Sequence, residues 1–202
     1  MISSQQAIEL FQSSIQQWHL EEKPVHNPFI PSSLDYFLFQ KNQVDTIQWH
    51  KEDEIRRSDL SSESFVLLKR EIDQLNQERT EVVEKMDDLF MAYYLKFPKK
   101  EEAQLNSETP AWMLDRMSIL ELKIYHMQEQ AHRTDISEAQ KILNLQKLNI
   151  LLEQRKDLGQ CFDELIMDRM NGIKYFKVYR QMKMYNDPEL NPALYLRKNK
   201  KG

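Results

Sequence analysis

"SESFVLLKREIDQLNQERTEVVEKMDDLFMAYYLKF", residues 62–97, decides the fold. Phe65, Leu68, Ile72, Leu75, Arg79, Val82, Met86, Leu89 and Tyr93 recur at alternating steps of three and four. That spacing is the seam of an amphipathic helix laid against other helices. A helix over Ser62–Phe97 would be about 50 Å long at ~1.5 Å per residue. Arg79 is the seam position that is not apolar.

A stripe of that length needs helical neighbours, and the flanking sequence supplies them. Ile8, Phe11, Ile15 and Trp18 mark a first helix from Ser4 to about Leu20. KPVHNPFIPSS (23–33) follows, and its prolines make it a loop. A second helix is predicted over Ser33–Arg57, capped by Ser33 or Ser32. Leu34, Phe37, Leu38, Val44 and Ile47 form its apolar side; Asp45, Trp49, Asp53 and Arg56 form a polar stripe. After the long third helix, PKKEEAQLNSETP (98–110) is a polar loop. Pro110 suits the first turn of a fourth helix, capped by Thr109 or Ser107. That helix carries two seams, one of Met113, Met117, Leu120, Ile124 and Met127, the other of Trp112, Asp115, Ile119, Leu122 and His126. Two buried faces place it centrally. A fifth helix starts near Asp135 or Ser137, with Leu148, Leu151, Arg155, Leu158, Phe162, Leu165 and Arg169 as its seam. Gly159 marks a close helix contact or a kink, and Gly172 an end or a bend. KYFKVYRQMKMY (174–185) could continue the helix, Asn186-Asp187-Pro188 favours an Asx-type turn, and KNKKG is a frayed tail. The expectation is one all-α domain over 1–202, an elongated up-and-down bundle of about five long helices, with residues 186–202 as an extended tail strapped across it.

Composition agrees. The 202 residues hold three glycines and 30% charged side chains, which is the make-up of long amphipathic helices. No apolar run approaches the roughly 20 residues that cross a bilayer. MISSQQAIELFQ is not a signal peptide, and a single cysteine, Cys161, cannot form an internal disulfide. A cytoplasmic protein is the expectation. The net charge of −4 is uneven: residues 169–202 hold nine Lys/Arg and two Asp/Glu, leaving −11 on the rest. The basic end either packs beside the chain's own acidic helices or meets a polyanion, and the acidic whole favours the first.

Polar residues on buried seams carry whatever chemistry there is. Arg79, Arg155 and Arg169 need carboxylates, and Asp73, Glu84, Asp115, Asp157 and Asp163 are within reach in sequence. Two readings stay open: ion pairs that fix helix register, or a pocket whose arginines face an anionic ligand. Asp115 and His126 are eleven residues apart on one seam, about 16 Å along the axis, so each must look to another helix. Asp73, Asn76, Thr80 and Asp87 form a stripe that could meet them. His50, Asp53 and Glu54 can share a helix face, but the Glu-x-x-His pairs of di-iron bundles are missing. His19, His50, His126 and His132 read as scattered structural histidines. No metal ligand and no cofactor is assigned. Glu81 and Glu84 match half of a magnesium-binding carboxylate set without the other half. There is no phosphate-binding glycine loop, and Cys161 beside Phe162 suits packing.

The strings "DTIQWHKEDEIR" (45–56), "IDQLNQERTEVVEKMDD" (72–88), "SETPAWMLDRMSILELKIYHM" (107–127), "LNILLEQRKDL" (148–158) and "KVYRQMKMYNDPELNPALY" (177–195) resemble the bacterial domain-of-unknown-function family four-two-five-four over nearly the whole chain. The resemblance implies a cytoplasmic helical protein of roughly 200 residues, encoded near glycosyltransferases of cell-envelope polysaccharide synthesis. It implies no activity and no catalytic residue. It points to polar clusters at Trp49, His50, Asp53 and Arg56, at Asp73, Asn76, Gln77, Arg79 and Thr80, and at Asp115, Arg116, Lys123 and His126; all of these but Gln77 and Thr80 are candidate ligand-binding groups. The first expectation is an accessory protein, plausibly a homodimer, that binds an anionic small molecule such as a sugar nucleotide, or a glycosyltransferase partner. The alternatives are an enzyme on a phosphorylated or nucleotide-linked sugar, which requires Asp53, Asp73, Asp115 and His126 to converge with Arg79, and a nucleic-acid module using 174–201, which is disfavoured.

Overall fold

The computed structural model describes residues 2–21, 25–182, 184 and 188–198. The elements are α1 (Ser4–Glu21), α2 (Leu34–Glu54), α3 (Ser62–Tyr94), β1 (Gln104–Leu105), α4 (Pro110–Ala131), α5 (Glu138–Met170), β2 (Lys174–Tyr175) and α6 (Pro192–Lys198). The turn expected at Asn186-Asp187 and the tail from Asn199 onward lie outside the described residues. No helix among the described residues is long and apolar enough to cross a membrane.

Each long helix starts where a hydroxyl can take an orphan backbone N–H. Ser33, Ser61, Thr109 and Ser137 accept from Tyr36, Ser64, Trp112 and Gln140. In α1 the device is reciprocal. Ser3 Oγ accepts from the Gln6 N–H at 3.3 Å, and Gln6 Oε1 accepts from the Ser3 N–H at 2.9 Å. Asp163 on α5 then accepts from both the N–H and the hydroxyl of Ser4, at 2.8 and 2.5 Å, a carboxylate at the positive end of a helix.

The bundle is all-α, as the seams imply, but the direction of α1 differs from a simple up-and-down order. Successive cross-links show α2, α3, α4 and α5 alternating: Gln48–Asn76 and Lys51–Glu71, then Arg79–Asp115, then Arg155–Glu121 and Asn144–Gln130. Along α1, by contrast, Gln12 meets Glu121 and His19 meets Tyr125 and His126, so α1 runs parallel to α4 and α2. The loop between α1 and α2 makes this possible by running back along α2. Asn27 Nδ2 donates to the Tyr36 carbonyl at 2.9 Å, and Gln43 Nε2 donates to the Val25 carbonyl.

Phe11, Leu38, Val83, Met86, Phe90, Tyr94, Leu114, Met117, Phe162 and Leu165 form the main core, drawn from all five long helices. A smaller core of Leu120, Ile124, Ala131 and Leu148 joins α4 to α5. Arg79 apart, the α3 seam is buried from Leu68 to Met86, and the buried face then takes in Val83, Asp87, Phe90 and Tyr94, because α1, α4 and Phe176 all reach that end. At the other end Phe65 is half exposed: α3 starts beyond the last turn of α2. As its two seams require, α4 touches α1, α2, α3 and α5.

The expected partners of the seam arginines are only partly found. Arg79 takes Asp115, but Arg155 pairs at 3.3 Å with Glu121, which is not among the expected carboxylates. Arg169 donates to the carbonyls of Phe97 and Tyr94 at 2.7 and 3.1 Å and lies over the Tyr94 ring; the frayed end of α3 supplies acceptors that need no carboxylate. Cys161 faces solvent rather than the core.

Gly159 is a close contact, not a kink. It sits in an unbroken helix, and a Cβ there would lie 3.3 Å from Ser4 Oγ. Gly172 ends α5. Its φ is +70°; its N–H bonds the Arg169 carbonyl, and the next N–H, of Ile173, bonds back to Asp168 at 2.8 Å, which is a Schellman stop. The chain therefore leaves as β2, parallel to β1, with Gln104 opposite Lys174, instead of extending the helix. A Cβ on Gly172 would lie 2.7 Å from the Pro98 carbonyl oxygen. Gly172→Ala is expected to cost about 1–2 kcal/mol, read as a lower urea midpoint at constant m-value. A cost of a few tenths would show that the turn re-forms without strain.

Beyond β2, Phe176 packs on Tyr94. Arg180 pairs with Glu84 and Asp88, and Lys174 with Asp168. These basic groups meet the chain's own carboxylates.

Candidate functional site

Three polar assemblies lie between the helices. The first is buried charge. Lys41, on α2 and wholly buried, bridges Asp45 one turn on and Asp115 of α4, the latter at 3.0 Å. From α3, Arg79 grips Asp115 with Nε and Nη2 at 2.8 and 2.7 Å, a two-pronged pair, and its Nε is 3.8 Å from Asp45. Ser118 donates to Asp45 at 2.6 Å and accepts from Asn42 at 3.0 Å. Two cations and two carboxylates leave the network neutral. Burial alone would raise Asp115, but the charges of Lys41 and Arg79 hold its carboxyl below the ordinary range. Asp45 goes the other way: burial, with Asp115 beside it, outweighs the pull of Lys41. Arg79 is thus committed to Asp115, and the pair acts as inter-helix register rather than as an anion receptor. A cavity of about 250 Å³ outside it is lined by Gln48, Trp49, Glu52, Arg56 and Arg79, and Arg56 there pairs with Glu52.

The second assembly is a cavity of about 520 Å³ between α2, α4 and α5. Trp49, Met127, Ile150 and Leu151 give it apolar walls, and Asp53, Lys123, His126 and Lys147 stand at its edges. Among the described residues neither Lys123 nor Lys147 has an ion-pair or hydrogen-bond partner. A larger cavity, about 720 Å³, lies at the opposite end between α1, α2 and α3, but its charged lining is Glu9 and Asp35, which repels an anion.

The third assembly was not foreseen. His19, His50 and His126, scattered in the sequence, come together near the C-terminal ends of α1, α2 and α4, with ring nitrogens within 4.8 Å of one another. They meet because those three helices are parallel; an up-and-down order puts His19 at the far end from His50. Trp18 stacks on His50 with centroids 4.8 Å apart and planes at 15°, and Trp49 on His126 at 4.9 Å and 10°. Tyr125 covers His19 at 4.4 Å.

The remaining sequence-singled residues lie apart. Asp73 pairs with Lys69 on the exposed face of α3, Asn76 accepts from Gln48 at 3.1 Å, and Arg116 is held by Glu108 at 2.9 Å. Asp53 and His126 border one cavity, Arg79 another, and Asp73 neither. The convergence demanded of a sugar-nucleotide enzyme is therefore not formed. Lys41 and Asp45 were missed as a network, although Leu34, Leu38, Lys41, Asp45 and Gln48 step by four and three along α2 and so mark both as core positions.

Fold and sites together define an α-helical bundle protein with a neutral, buried register network and a basic-edged apolar cavity. The chain belongs to the family described as "Protein of unknown function (DUF4254)", which matches residues 35–178. That span includes the buried network, the cavity, His50 and His126; α1 with His19 precedes it. Comparison with curated proteins and with solved structures finds no match.

Proposed function

We propose that this protein is a bacterial, cytoplasmic accessory protein that binds an anionic, partly apolar ligand of the sugar-nucleotide class for a glycosyltransferase partner in cell-envelope glycan synthesis. The observation that carries the reading is the cavity between α2, α4 and α5: apolar walls, an indole face, and two unpaired ammonium groups at its edge. Its volume falls in the range of about 300–1,000 Å³ typical of small-molecule sites. A base or other flat group fits the apolar wall, and a diphosphate fits Lys123 and Lys147. The glycan setting rests on the gene neighbourhood that family membership implies. Binding rather than catalysis is supported by the separation of Asp53, Asp73 and Asp115. A homodimer is part of the proposal, since Phe65, Val66 and Leu67 on α3 and Ile142 and Leu143 on α5 are apolar and exposed.

The test is thermal unfolding against sugar nucleotides and phosphosugars. A ligand at a hundred times its dissociation constant is expected to add about 2.7 kcal/mol, some 5–10 °C for a chain of this size. Lys123→Gln with Lys147→Gln should abolish the shift without lowering the unliganded midpoint, because both side chains are exposed. A shift that survives the double variant removes the cavity from the reading, and no shift with any compound favours a protein partner instead.

A further inference from the structure

The histidine cluster has a property that the cavity does not explain. His19 Nδ1 lies 2.7 Å from the Ile15 carbonyl. A carbonyl only accepts, so Nδ1 carries the proton and Nε2 keeps its lone pair. His126 Nδ1 lies 2.8 Å from a Glu129 carboxylate oxygen, which fixes the same tautomer. Its Nε2 is buried and has no hydrogen-bond partner. His50 Nε2 faces His19 Nε2 at 3.2 Å. Two imidazoles are thus oriented by an acceptor behind them; the Nε2 lone pair of His126 is free, and that of His19 is met by His50 Nε2. Carbonyl or carboxylate behind histidine is the outer arrangement that metal-binding histidines use.

We propose that His19, His50 and His126 form a three-histidine site for a borderline divalent transition metal, with zinc as the reference ion. Zn–N bonds of about 2.0–2.1 Å in a tetrahedron put ligand nitrogens roughly 3.4 Å apart. The His19–His50 separation of 3.2 Å already satisfies this. The third nitrogen, within 4.8 Å of the others, closes in by a small turn of its side chain. Three neutral imidazoles select Zn²⁺, Co²⁺, Ni²⁺ or Cu²⁺ over Mg²⁺ and Ca²⁺, which take oxygen. The Glu129 carboxylate behind His126 supplies negative charge beside a dication. Three protein ligands leave the fourth tetrahedral position to water. The inference is independent of the sugar-nucleotide reading and its test uses no nucleotide.

The test is titration of the chelator-stripped full chain with Zn²⁺ and Co²⁺. Expected are one equivalent bound per chain, the intense visible absorption of four-coordinate Co²⁺, and no competition from Mg²⁺. His50→Gln should weaken binding by about 100-fold, and Glu129→Gln by about 10–100-fold through the ring it orients. His132→Gln, whose ring is exposed on the last turn of α4, should leave binding unchanged. Folding of each variant is read by circular dichroism. Should His50→Gln fail to fold, the wild-type Co²⁺ spectrum and Glu129→Gln decide, since neither removes a ring. Absence of stoichiometric binding, a pale octahedral Co²⁺ spectrum, or a loss with His132→Gln equal to that with Glu129→Gln would overturn the site.

Discussion

Lys41→Met is expected to destabilise the protein by about 3–5 kcal/mol, the usual cost of removing one partner from a buried ion pair. The replacement is similar in length and apolar, so packing is preserved and the loss is electrostatic. Without the ammonium, Asp45 and Asp115 share one cation, Arg79, which is bound two-pronged to Asp115 and lies 3.8 Å from Asp45. Asp45 is then a buried carboxylate whose remaining close donor is Ser118. Its pKa is already raised by burial, so in the variant it takes a proton as the pH falls. The loss should therefore be larger at pH 8 than at pH 5. Lys41→Met with Asp45→Asn, which removes both charges, should recover much of it. Urea unfolding of the two single variants and the double variant at both pH values supplies the cycle. A loss below about 1 kcal/mol for Lys41→Met would mean that water already solvates the carboxylates, and that the network holds no register.

Much of the helical fold can be read from spacing alone. The α3 seam, the two faces of α4 and the hydroxyl caps each follow from local pattern and local geometry. What spacing does not carry is direction. The α1–α2 loop is proline-rich under any topology. Whether it turns tightly or runs back along α2 depends on long-range bonds such as Asn27 to the Tyr36 carbonyl. Direction in turn decides the candidate site. With α1 parallel to α2 and α4, Trp18 and His19 land on His50 and His126. In the opposite direction the same residues are isolated aromatics at two ends of the molecule.

The arginine seam shows a second limit. A buried charge announces that a partner exists, and Arg79–Asp115 was legible because both positions interrupt apolar seams. It does not announce which partner. Arg169 is satisfied by carbonyls at the open end of α3, groups that every sequence has and no side-chain pattern displays. Lys41 and Asp45 were hidden differently: a one-turn salt pair on a helix usually lies in solvent, and the presence of α3 and α4 on that face is what buries it. The same logic reassigns Arg79. As a seam arginine it could face a ligand, but once the two-pronged bond to Asp115 is formed its donors are directed inward. The unpaired cations that border the apolar cavity are instead exposed lysines of α4 and α5, Lys123 and Lys147, which no seam argument singles out.

Asp87→Asn is expected to stabilise the protein at pH 8 by about 2–3 kcal/mol, by about half of that at pH 5, and hardly at all below pH 4. Asp87 is buried on α3 at the start of α4, where one carboxylate oxygen has no hydrogen-bond partner. Burial pushes its pKa up to about 6; a hydrogen bond from Thr109 and the charge of Arg180 pull it down, while Asp88 and Glu84 add to the rise. A carboxyl whose folded pKa lies above its unfolded value binds its proton more tightly when folded. Its favourable contribution is complete below the unfolded pKa, near 3.9, and is lost as the pH climbs through about 6. At pH 8 the native state thus carries an unneutralised buried carboxylate. Asparagine keeps the acceptor for Thr109, whose hydroxyl also caps α4, and carries no charge. The gap between variant and wild type should therefore open between about pH 4 and pH 6 and stay nearly constant above about pH 7. Other titrating groups are common to both chains and cancel in the difference. Melting midpoints of the two proteins at half-unit steps from pH 3.5 to 8 measure it, with the gap reaching some 5–10 °C at the top. A gap that is flat with pH would place the Asp87 carboxylate in contact with water or a cation, and would make the start of α4 less dry than its packing indicates.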